Sequence, residues 1–279
     1  MKKGISIWSF AGGTLAENFR LAKEAGFEGV EVALAEEGEI NLSSTKADME
    51  KVKASADAAG ISLYSVASGL YWQYSLTSED PAQREKAKFC VRKQLEVASW
   101  LGCDTILVVP GAVSVSFAPE LGVVDYAVAY DRSLEAFREL KADAERLKVS
   151  IGLENVWNNF LLSPLELRDF IDKIGSEYVG SYFDVGNVLY TGYPEQWARI
   201  LGKRIKKVHF KDYRRAVGSL DGFVDLLSGE VNWKAVTAAL AEVGYDGWAT
   251  GEMLPPYAQY PETILWNTSK AMDKILGRC

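Results

Sequence analysis

The chain has 279 residues, of which 48% are hydrophobic and 25% charged, an ordinary globular composition that can form a sizeable core. The net charge of −7 repels phosphate backbones and argues against a nucleic acid as the main partner. No apolar run approaches the ~20 residues that a membrane-spanning helix needs, and the N-terminus lacks the apolar stretch of a signal peptide.

Short apolar segments recur along the chain, and we predict that they are strands. In chain order they are Ile5–Trp8, Gly29–Ala33, Ser62–Ala67, Thr105–Val109, Ser150–Leu153, Val179–Asp184, Lys207–Phe210 and Trp248–Glu252. Several are apolar at consecutive positions, as expected of a parallel sheet that is covered on both faces.

Segments with helical periodicity lie between these strands. Gly26, Gly60 and Gly102 follow three of them as C-caps, and Ser163 with Glu166 forms a capping box before a fourth. The predicted helices are Leu15–Ala25, Thr45–Ala59, Pro81–Leu101, Tyr126–Leu147, Leu167–Ile174, Pro194–Leu201, Asn232–Val243 and a last helix that begins at Pro261.

The chain thus contains eight strand–helix units, with no linker or low-complexity tract between them. Strict alternation of strand and helix predicts a parallel sheet with right-handed crossovers. Eight units favour a closed (β/α)₈ or TIM barrel over an open sheet, and no GxGxxG turn follows the first strand. We therefore predict an α/β protein with one TIM-barrel domain over residues 1–279.

Charged residues lie at the C-terminal ends of the last four predicted strands, where TIM barrels place functional residues. They are Glu154, Asp184, His209 and Glu252. Three converging carboxylates would repel one another unless they bind a cation. Since oxygen and imidazole ligands suit Mn²⁺, Mg²⁺ or Co²⁺, the pattern predicts one divalent metal ion. Manganese is the favoured ion, and zinc is a further alternative.

Each of these residues also has a purely structural interpretation. A single histidine in an apolar strand is more often a hydrogen-bonded core residue than a metal ligand. Each acidic residue could form an ion pair with Arg204, Lys206 or Lys207. Four such residues at consecutive strand ends are harder to explain by separate interactions, which favours the metal site.

The four residues, together with the motifs DVGN and VHFKD, resemble the xylose isomerase-like TIM barrels, a superfamily of sugar and sugar-phosphate isomerases and epimerases. The resemblance runs from ISIWSF to GYDGWATGEM. It is nearest to the ketose 3-epimerases and the L-ribulose and xylulose 5-phosphate 3-epimerases. It implies that Glu154, Asp184, His209 and Glu252 hold the metal and that the two glutamates are the catalytic acid and base. Arg215, six residues after the histidine, would contact the substrate.

Two positions depart from the free-ketose epimerases of this superfamily. Asn187 replaces a histidine that some of them carry three residues after the aspartate, and Phe160 replaces a glutamate. The phosphopentose-type members and several uncharacterised members resemble this chain at that position, and we keep Asn187 as a candidate substrate contact. The endonuclease branch of the superfamily needs several histidines for a zinc cluster, and this chain has one.

Further candidate contacts with the substrate lie near other strand ends. Trp8 and Trp157 could cover the apolar face of a sugar, although buried tryptophans are commonly core residues. Lys211 and Arg215 belong to a basic loop after the seventh strand, which either binds a phosphate group or is simply solvated. Lys211 could also pair with the adjacent Asp212.

One more acidic residue, Glu31, follows the start of the second strand. It could bind a sugar hydroxyl or pair with a lysine, and we expect the lysine. The cysteines, Cys90, Cys103 and Cys279, have no paired spacing, so we expect neither disulfides nor a thiolate zinc site. We expect Cys90 and Cys103 to be core residues, and a cytoplasmic location for the protein.

The predicted chemistry is proton transfer next to a carbonyl group, through an enediolate that the metal stabilises. Glu154 would remove the proton and Glu252 would return one, which makes 3-epimerisation of a ketose or ketose phosphate our leading hypothesis. The alternatives are an aldose–ketose isomerase, a dehydratase of the inosose or dehydroshikimate type, and a sugar-binding barrel without turnover. The expected partner is a small sugar or sugar phosphate, with a homodimer or homotetramer left open.

Overall fold

Eight parallel strands close into a barrel in the computed structural model, which describes residues 1–254 and 256–278. The barrel strands β1 to β8 are Lys2–Ser6, Gly29–Leu34, Ser62–Ser68, Thr105–Val108, Ser150–Glu154, Val179–Asp184, Ile205–Phe210 and Trp248–Gly251. Their order around the barrel follows the chain, and β8 pairs with β1 from Lys2 opposite Trp248 to Ile5 opposite Gly251. The predicted TIM barrel is therefore confirmed.

The helices of the described residues surround this barrel. Labelled α1 to α9, they are Leu15–Glu24, Lys46–Ala59, Pro81–Leu101, Tyr126–Leu147, Pro164–Ile174, Val185–Leu189, Pro194–Leu201, Trp233–Glu242 and Thr263–Ile275. Thr14 and Thr45 begin α1 and α2 with capping boxes. Gly60 and Gly102 end α2 and α3 in the left-handed conformation, as their positions in the sequence predicted.

The first strand differs from its predicted range Ile5–Trp8. It runs from Lys2 to Ser6, and Ile7–Ser9 forms a 3₁₀ turn instead. Apolar residues lie on both sides of the end of the strand, with Ile5 before it and Ile7 and Trp8 after it, so periodicity could not place that end. The turn brings Trp8 to the mouth of the barrel.

Three short elements were not predicted. The helix α6 follows β6 directly, and two strands of two residues, Asp212–Tyr213 and Phe223–Val224, pair antiparallel beyond β7. Each is too short to show a hydrophobic period of its own. All three lie at the C-terminal end of the barrel, where they shape the mouth.

The main hydrophobic core fills the space between the barrel and its helices. Cys90 and Cys103 belong to it, and burial raises the pKa of the Cys90 thiol to about 11, as expected of an unreactive core cysteine. Cys279 lies outside the described residues. Across the described ranges, no helix has the combination of length and apolar character that a bilayer crossing requires.

Candidate metal centre and the adjoining cavity

Four side chains meet at the C-terminal ends of the last four barrel strands. Glu154 and Asp184 are the last residues of β5 and β6, His209 is the second-last residue of β7, and Glu252 directly follows β8. Each offers one ligand atom, and these atoms all lie within 4.8 Å of one another. The structure thus brings together the four residues that the sequence pattern singled out as metal ligands.

One nitrogen of the His209 imidazole lies close to all three carboxylates of this four-residue centre. His209 Nδ1 is 4.0 Å from Glu154 Oε1, 3.7 Å from Asp184 Oδ2 and 3.3 Å from Glu252 Oε2. All four side chains are buried, and His209 Nδ1 has no hydrogen-bond partner among the described residues, while Asp184 Oδ2 and Glu252 Oε2 both contact the ammonium group of Lys211. Buried polar atoms are rarely left without a partner, so an orphaned imidazole nitrogen that faces three buried carboxylates fits a cation site.

Glu31 of β2 supports His209 from the other side of the ring. His209 Nε2 lies 2.9 Å from Glu31 Oε1, and the Tyr182 hydroxyl donates a hydrogen bond to Glu31 Oε2. The lysine partner that we expected for Glu31 is therefore wrong, since its partners are a histidine and a tyrosine. Carboxylate support of this kind fixes the ring of metal-binding histidines. The signal in the sequence was a charge inside the apolar strand GVEVAL.

Lys211 adds a positive charge to the centre. Its ammonium group lies 3.1 Å from Asp184 Oδ2 and also contacts Glu252 Oε2. Burial alone would lower the pKa of Lys211, but the charges of Asp184, Glu252 and Glu154 outweigh it and raise the pKa above its usual range. With all three carboxyl groups ionised, the carboxylates and the ammonium group would together carry two negative charges, which a divalent ion would neutralise.

The suggested ion pair between Lys211 and Asp212 is wrong. Asp212 accepts hydrogen bonds from the backbone N–H groups of Leu227 and Val231 and from the indole N–H of Trp233. Its carboxylate therefore organises the loop that follows the short antiparallel strands, and it does not face the centre. Lys211, one residue earlier, turns the other way.

The two glutamates of the centre have unlike electrostatic surroundings. Burial raises the pKa of Glu154 to about 8, with Glu252 and Asp184 acting in the same direction. Burial would also raise the pKa of Glu252, but the adjacent Lys211 and His209 lower it to about 2. Carboxyl pairs whose surroundings separate their pKa values are typical of sites that use one acid and one base.

Two asparagines fix the ends of β5 and β6 to each other. Asn155 donates from Nδ2 to the Asp184 carbonyl at 2.8 Å and accepts from the Asp184 N–H at 3.0 Å. Asn187 donates from its backbone N–H to Asp184 Oδ1 at 2.7 Å, and its Nδ2 lies 3.4 Å from Glu154 Oε1. Sequence reasoning missed Asn155, although it directly follows Glu154 in the motif IGLEN.

A cavity of about 540 Å³ lies beside the segments that follow β5 and β6, and none of the four residues of the centre lines it. Asn155, Asn187 and Trp157 line it, so the predicted contacts Asn187 and Trp157 face the same space. The indole N–H of Trp157 donates to the Asn187 carbonyl at 3.0 Å, and its ring centroid lies 5.0 Å from that of Tyr190. The contact of Asn187 and Trp157 with a substrate stays a prediction.

Two further predicted contacts, Trp8 and Arg215, lie in different surroundings. Trp8 is half-buried at the barrel mouth, where it packs against a small cluster of side chains that includes Tyr182. Arg215 donates from Nε to the Leu189 carbonyl at 2.8 Å and from Nη2 to the Gly192 carbonyl at 3.0 Å. Arg215 thereby holds the loop after α6 and is not among the residues that line the large cavity. Substrate contact by either residue stays a prediction.

Comparison with protein families and curated proteins gives three matches. A family model described as a xylose isomerase-like TIM barrel matches residues 19–270. The putative L-ribulose-5-phosphate 3-epimerase SgbU of Escherichia coli (strain K12) is 26% identical over 259 residues, which cover 88% of this chain and 85% of that protein. The uncharacterized protein MJ1311 of Methanocaldococcus jannaschii is 30% identical over 165 residues, 57% of this chain and 53% of that protein. The chain therefore matches about half the length of this last relative.

Among solved structures, the crystal structure of a D-tagatose 3-epimerase-like protein is similar over the whole barrel. The TM-score is 0.82 at 23% identity, and the match covers 100% of this chain and 98% of that one. At this level of identity the likeness establishes the fold.

Proposed function

The chain belongs to the xylose isomerase-like TIM barrel family, and within that family we propose that it is a divalent-metal-dependent 3-epimerase of a ketose. The observation that carries the proposal is the convergence of Glu154, Asp184, His209 and Glu252 on one buried point at the barrel mouth. The printed name of the Escherichia coli relative, a putative 3-epimerase, supports the same reaction type.

The residues present fit a divalent ion. Three carboxylates and one imidazole are oxygen and nitrogen donors, and the buried His209 Nδ1 lacks a hydrogen-bond partner among the residues described. This donor set suits Mn²⁺ first, with Mg²⁺, Co²⁺ or Zn²⁺ as alternatives. We propose that Glu154, Asp184 and Glu252 bind the ion through carboxylate oxygens and that His209 binds through Nδ1.

The proposed reaction is proton transfer at the carbon next to a ketose carbonyl. A bound divalent ion supplies a Lewis acid that polarises the carbonyl group. One of the two glutamates, Glu154 or Glu252, takes the proton from this carbon as a carboxylate, and the other, as a carboxylic acid, gives a proton to the opposite face, so that one proton is taken up and one is released in each turnover. A positioned acid or base of this kind contributes roughly 10²–10⁴-fold to the rate.

The surrounding side chains of the protein assist these two glutamates. Lys211 lies against Glu252 and keeps a positive charge beside the carboxylate. Asn187 lies 3.4 Å from Glu154 Oε1 and limits the positions that this carboxylate can take.

Proton-exchange NMR in D₂O tests the proposal. The Mn²⁺-loaded protein is incubated with D-fructose, and we expect the C3 epimer to form with deuterium at C3. Deuterium at C1 or C2 with aldose formation would indicate an isomerase instead. An absorbance of a conjugated enone would indicate a dehydratase.

Three matched variants assign the reaction to the centre. Glu154→Gln and Glu252→Gln should each lower kcat by roughly 10²–10⁴-fold. Glu177→Gln is the control, because Glu177 is exposed and precedes β6 at the opposite end of the barrel. Near-normal turnover in both centre variants would overturn the assignment of acid and base.

A further inference from the structure

The cavity of about 540 Å³ is lined almost entirely by uncharged residues, although the centre near it contains several charged side chains. Asp221 is the one charged residue among its lining residues in the described part of the chain. The remaining wall consists of uncharged polar residues and aromatic or aliphatic side chains. The most prominent of these are Phe117, Trp157, Tyr190 and Leu162.

The nearby cations are turned away from this cavity. Lys211 contacts Asp184 and Glu252, and Arg215 donates two hydrogen bonds to backbone carbonyls of the loop after α6. Arg214 donates from Nε to the Ser228 carbonyl at 3.1 Å. A phosphate group in this cavity would therefore lose water without gaining a cation, and the carboxylate of Asp221 would repel it.

The size of the cavity also exceeds what one small sugar needs. Pockets of roughly 300–1,000 Å³ hold drug-sized ligands, and this cavity has about 540 Å³. Its aromatic rings suit the C–H faces of a second sugar ring, and its asparagine, serine and threonine side chains suit hydroxyl groups. Tyr190 is 48% exposed and Leu162 is 57% exposed, so a ligand would cover apolar surface that water now contacts.

Asn187 lies between this cavity and the reaction centre. It lines the cavity, and its Nδ2 lies 3.4 Å from Glu154 Oε1. A substrate whose reacting carbon is near Glu154 and that extends past Asn187 and Trp157 would place its far end in the cavity.

We propose that the substrate is an uncharged ketose that carries a glycosidic extension, with the ketose at the four-residue centre and the extension in this cavity. The proposal rests on the proposed function, whose substrate class it specifies. It also separates this chain from the Escherichia coli relative SgbU, whose name specifies a sugar phosphate.

The test compares three ketoses that differ at one position. D-fructose has a free hydroxyl at O6, D-fructose 6-phosphate has a phosphate there, and isomaltulose has a glucosyl group. Because both substituted sugars are blocked at O6, neither can form a pyranose ring, and their reactive forms are comparable. With Mn²⁺-loaded protein we expect kcat/KM for isomaltulose to exceed that for D-fructose by about tenfold and that for D-fructose 6-phosphate by more.

Two variants show whether the higher kcat/KM expected for isomaltulose depends on the cavity. Leu162→Ala and Tyr190→Ala should raise KM for isomaltulose about fivefold and leave kcat/KM for D-fructose within about twofold, since each removes apolar contact area from the wall. Leu165→Ala is the matched control, because Leu165 is 50% exposed three residues further on and does not line the cavity. It should change neither constant.

Isothermal titration calorimetry gives a second reading without turnover. Isomaltulose should bind the Mn²⁺-loaded Glu154→Gln protein, and the Tyr190→Ala exchange should weaken that binding.

If D-fructose or its phosphate is turned over as well as isomaltulose, the inference about the extension is wrong while the epimerase proposal stands. If no ketose is turned over but isomaltulose binds in the cavity, the epimerase proposal fails and the cavity assignment stands. If isomaltulose neither reacts nor binds, the inference is overturned.

Discussion

His209 Nε2 lies 2.9 Å from Glu31 Oε1, although two strands, β8 and β1, separate β7 from β2 in the barrel. Both side chains must therefore cross the barrel interior, where each is fully buried. When the ring donates its Nε2 hydrogen to Glu31, its Nδ1 lone pair points to Asp184 and Glu252. The orientation of the proposed metal ligand thus depends on a residue 178 positions away along the chain.

Glu31→Gln should weaken Mn²⁺ binding by roughly 10–100-fold, because an amide orients the imidazole less strongly than a carboxylate and does not raise its basicity. Titration calorimetry with Mn²⁺ measures the change. Tyr182→Phe, which removes the second partner of Glu31 and leaves the ring, should give a smaller loss. Unchanged affinity in Glu31→Gln would mean that Glu31 does not support a metal ligand.

Removal of divalent ions should destabilise the protein. A ligand that binds the folded state at about 100 times its Kd adds ~2.7 kcal/mol of stability. We therefore expect thermal unfolding to occur at a lower temperature in EDTA than in Mn²⁺. Asp184→Asn should abolish most of this difference, since the amide can still accept the N-cap hydrogen bond from Asn187 but carries no charge. Equal melting temperatures of the wild-type protein with and without Mn²⁺ would contradict the metal site.

Lys211→Met should widen the gap between the metal-loaded and metal-depleted melting temperatures. Without the ammonium group, Asp184 and Glu252 repel each other more strongly in the depleted protein. The same change leaves a more negative site, which should bind Mn²⁺ more tightly. Lys234→Met is the control, because Lys234 is exposed on α8. A smaller difference between these two melting temperatures in Lys211→Met than in the wild-type protein would show that Lys211 assists metal binding.

Gly186→Ala should lower the free energy of unfolding by about 1–3 kcal/mol through steric overlap. A Cβ atom at Gly186 would lie 2.4 Å from Lys211 Cβ and 3.0 Å from the Lys211 backbone. Chemical denaturation measures the loss. Gly69→Ala is the matched control, because a Cβ atom there meets nothing within 4 Å and the backbone φ of −85° accepts alanine. An equal effect at both positions would rule out the close contact with Lys211.

Trp157→Phe should separate hydrogen bonding from ring stacking at the cavity wall. The variant keeps an aromatic ring beside Tyr190 but loses the indole donor to the Asn187 carbonyl. A hydrogen bond of this kind contributes ~1 kcal/mol, so we expect a loss of stability of that order and a higher KM. Urea denaturation and steady-state kinetics measure the two effects. A stable variant with unchanged KM would show that the hydrogen bond does not position Asn187.

The alternation of apolar strands and capped helices was sufficient to predict the barrel, because both signals are local. Pro81–Leu101 and Tyr126–Leu147 begin and end as predicted, since a proline or a strong N-cap fixes one end and a left-handed C-cap the other. The sequence also predicted that four strand-end side chains lie together, because all parallel strands of a barrel end at the same face. They are Glu154, Asp184, His209 and Glu252.

Contacts across the barrel were decided only by the tertiary structure. The partner of Glu31 depends on which residues of β2 and β7 face inward, and that depends on closure and register between strands distant in sequence. The same holds for Lys211, which lies between Asp184 and Glu252 and not against its neighbour Asp212. A sequence shows which charges are present, whereas the arrangement of strands determines which of them meet.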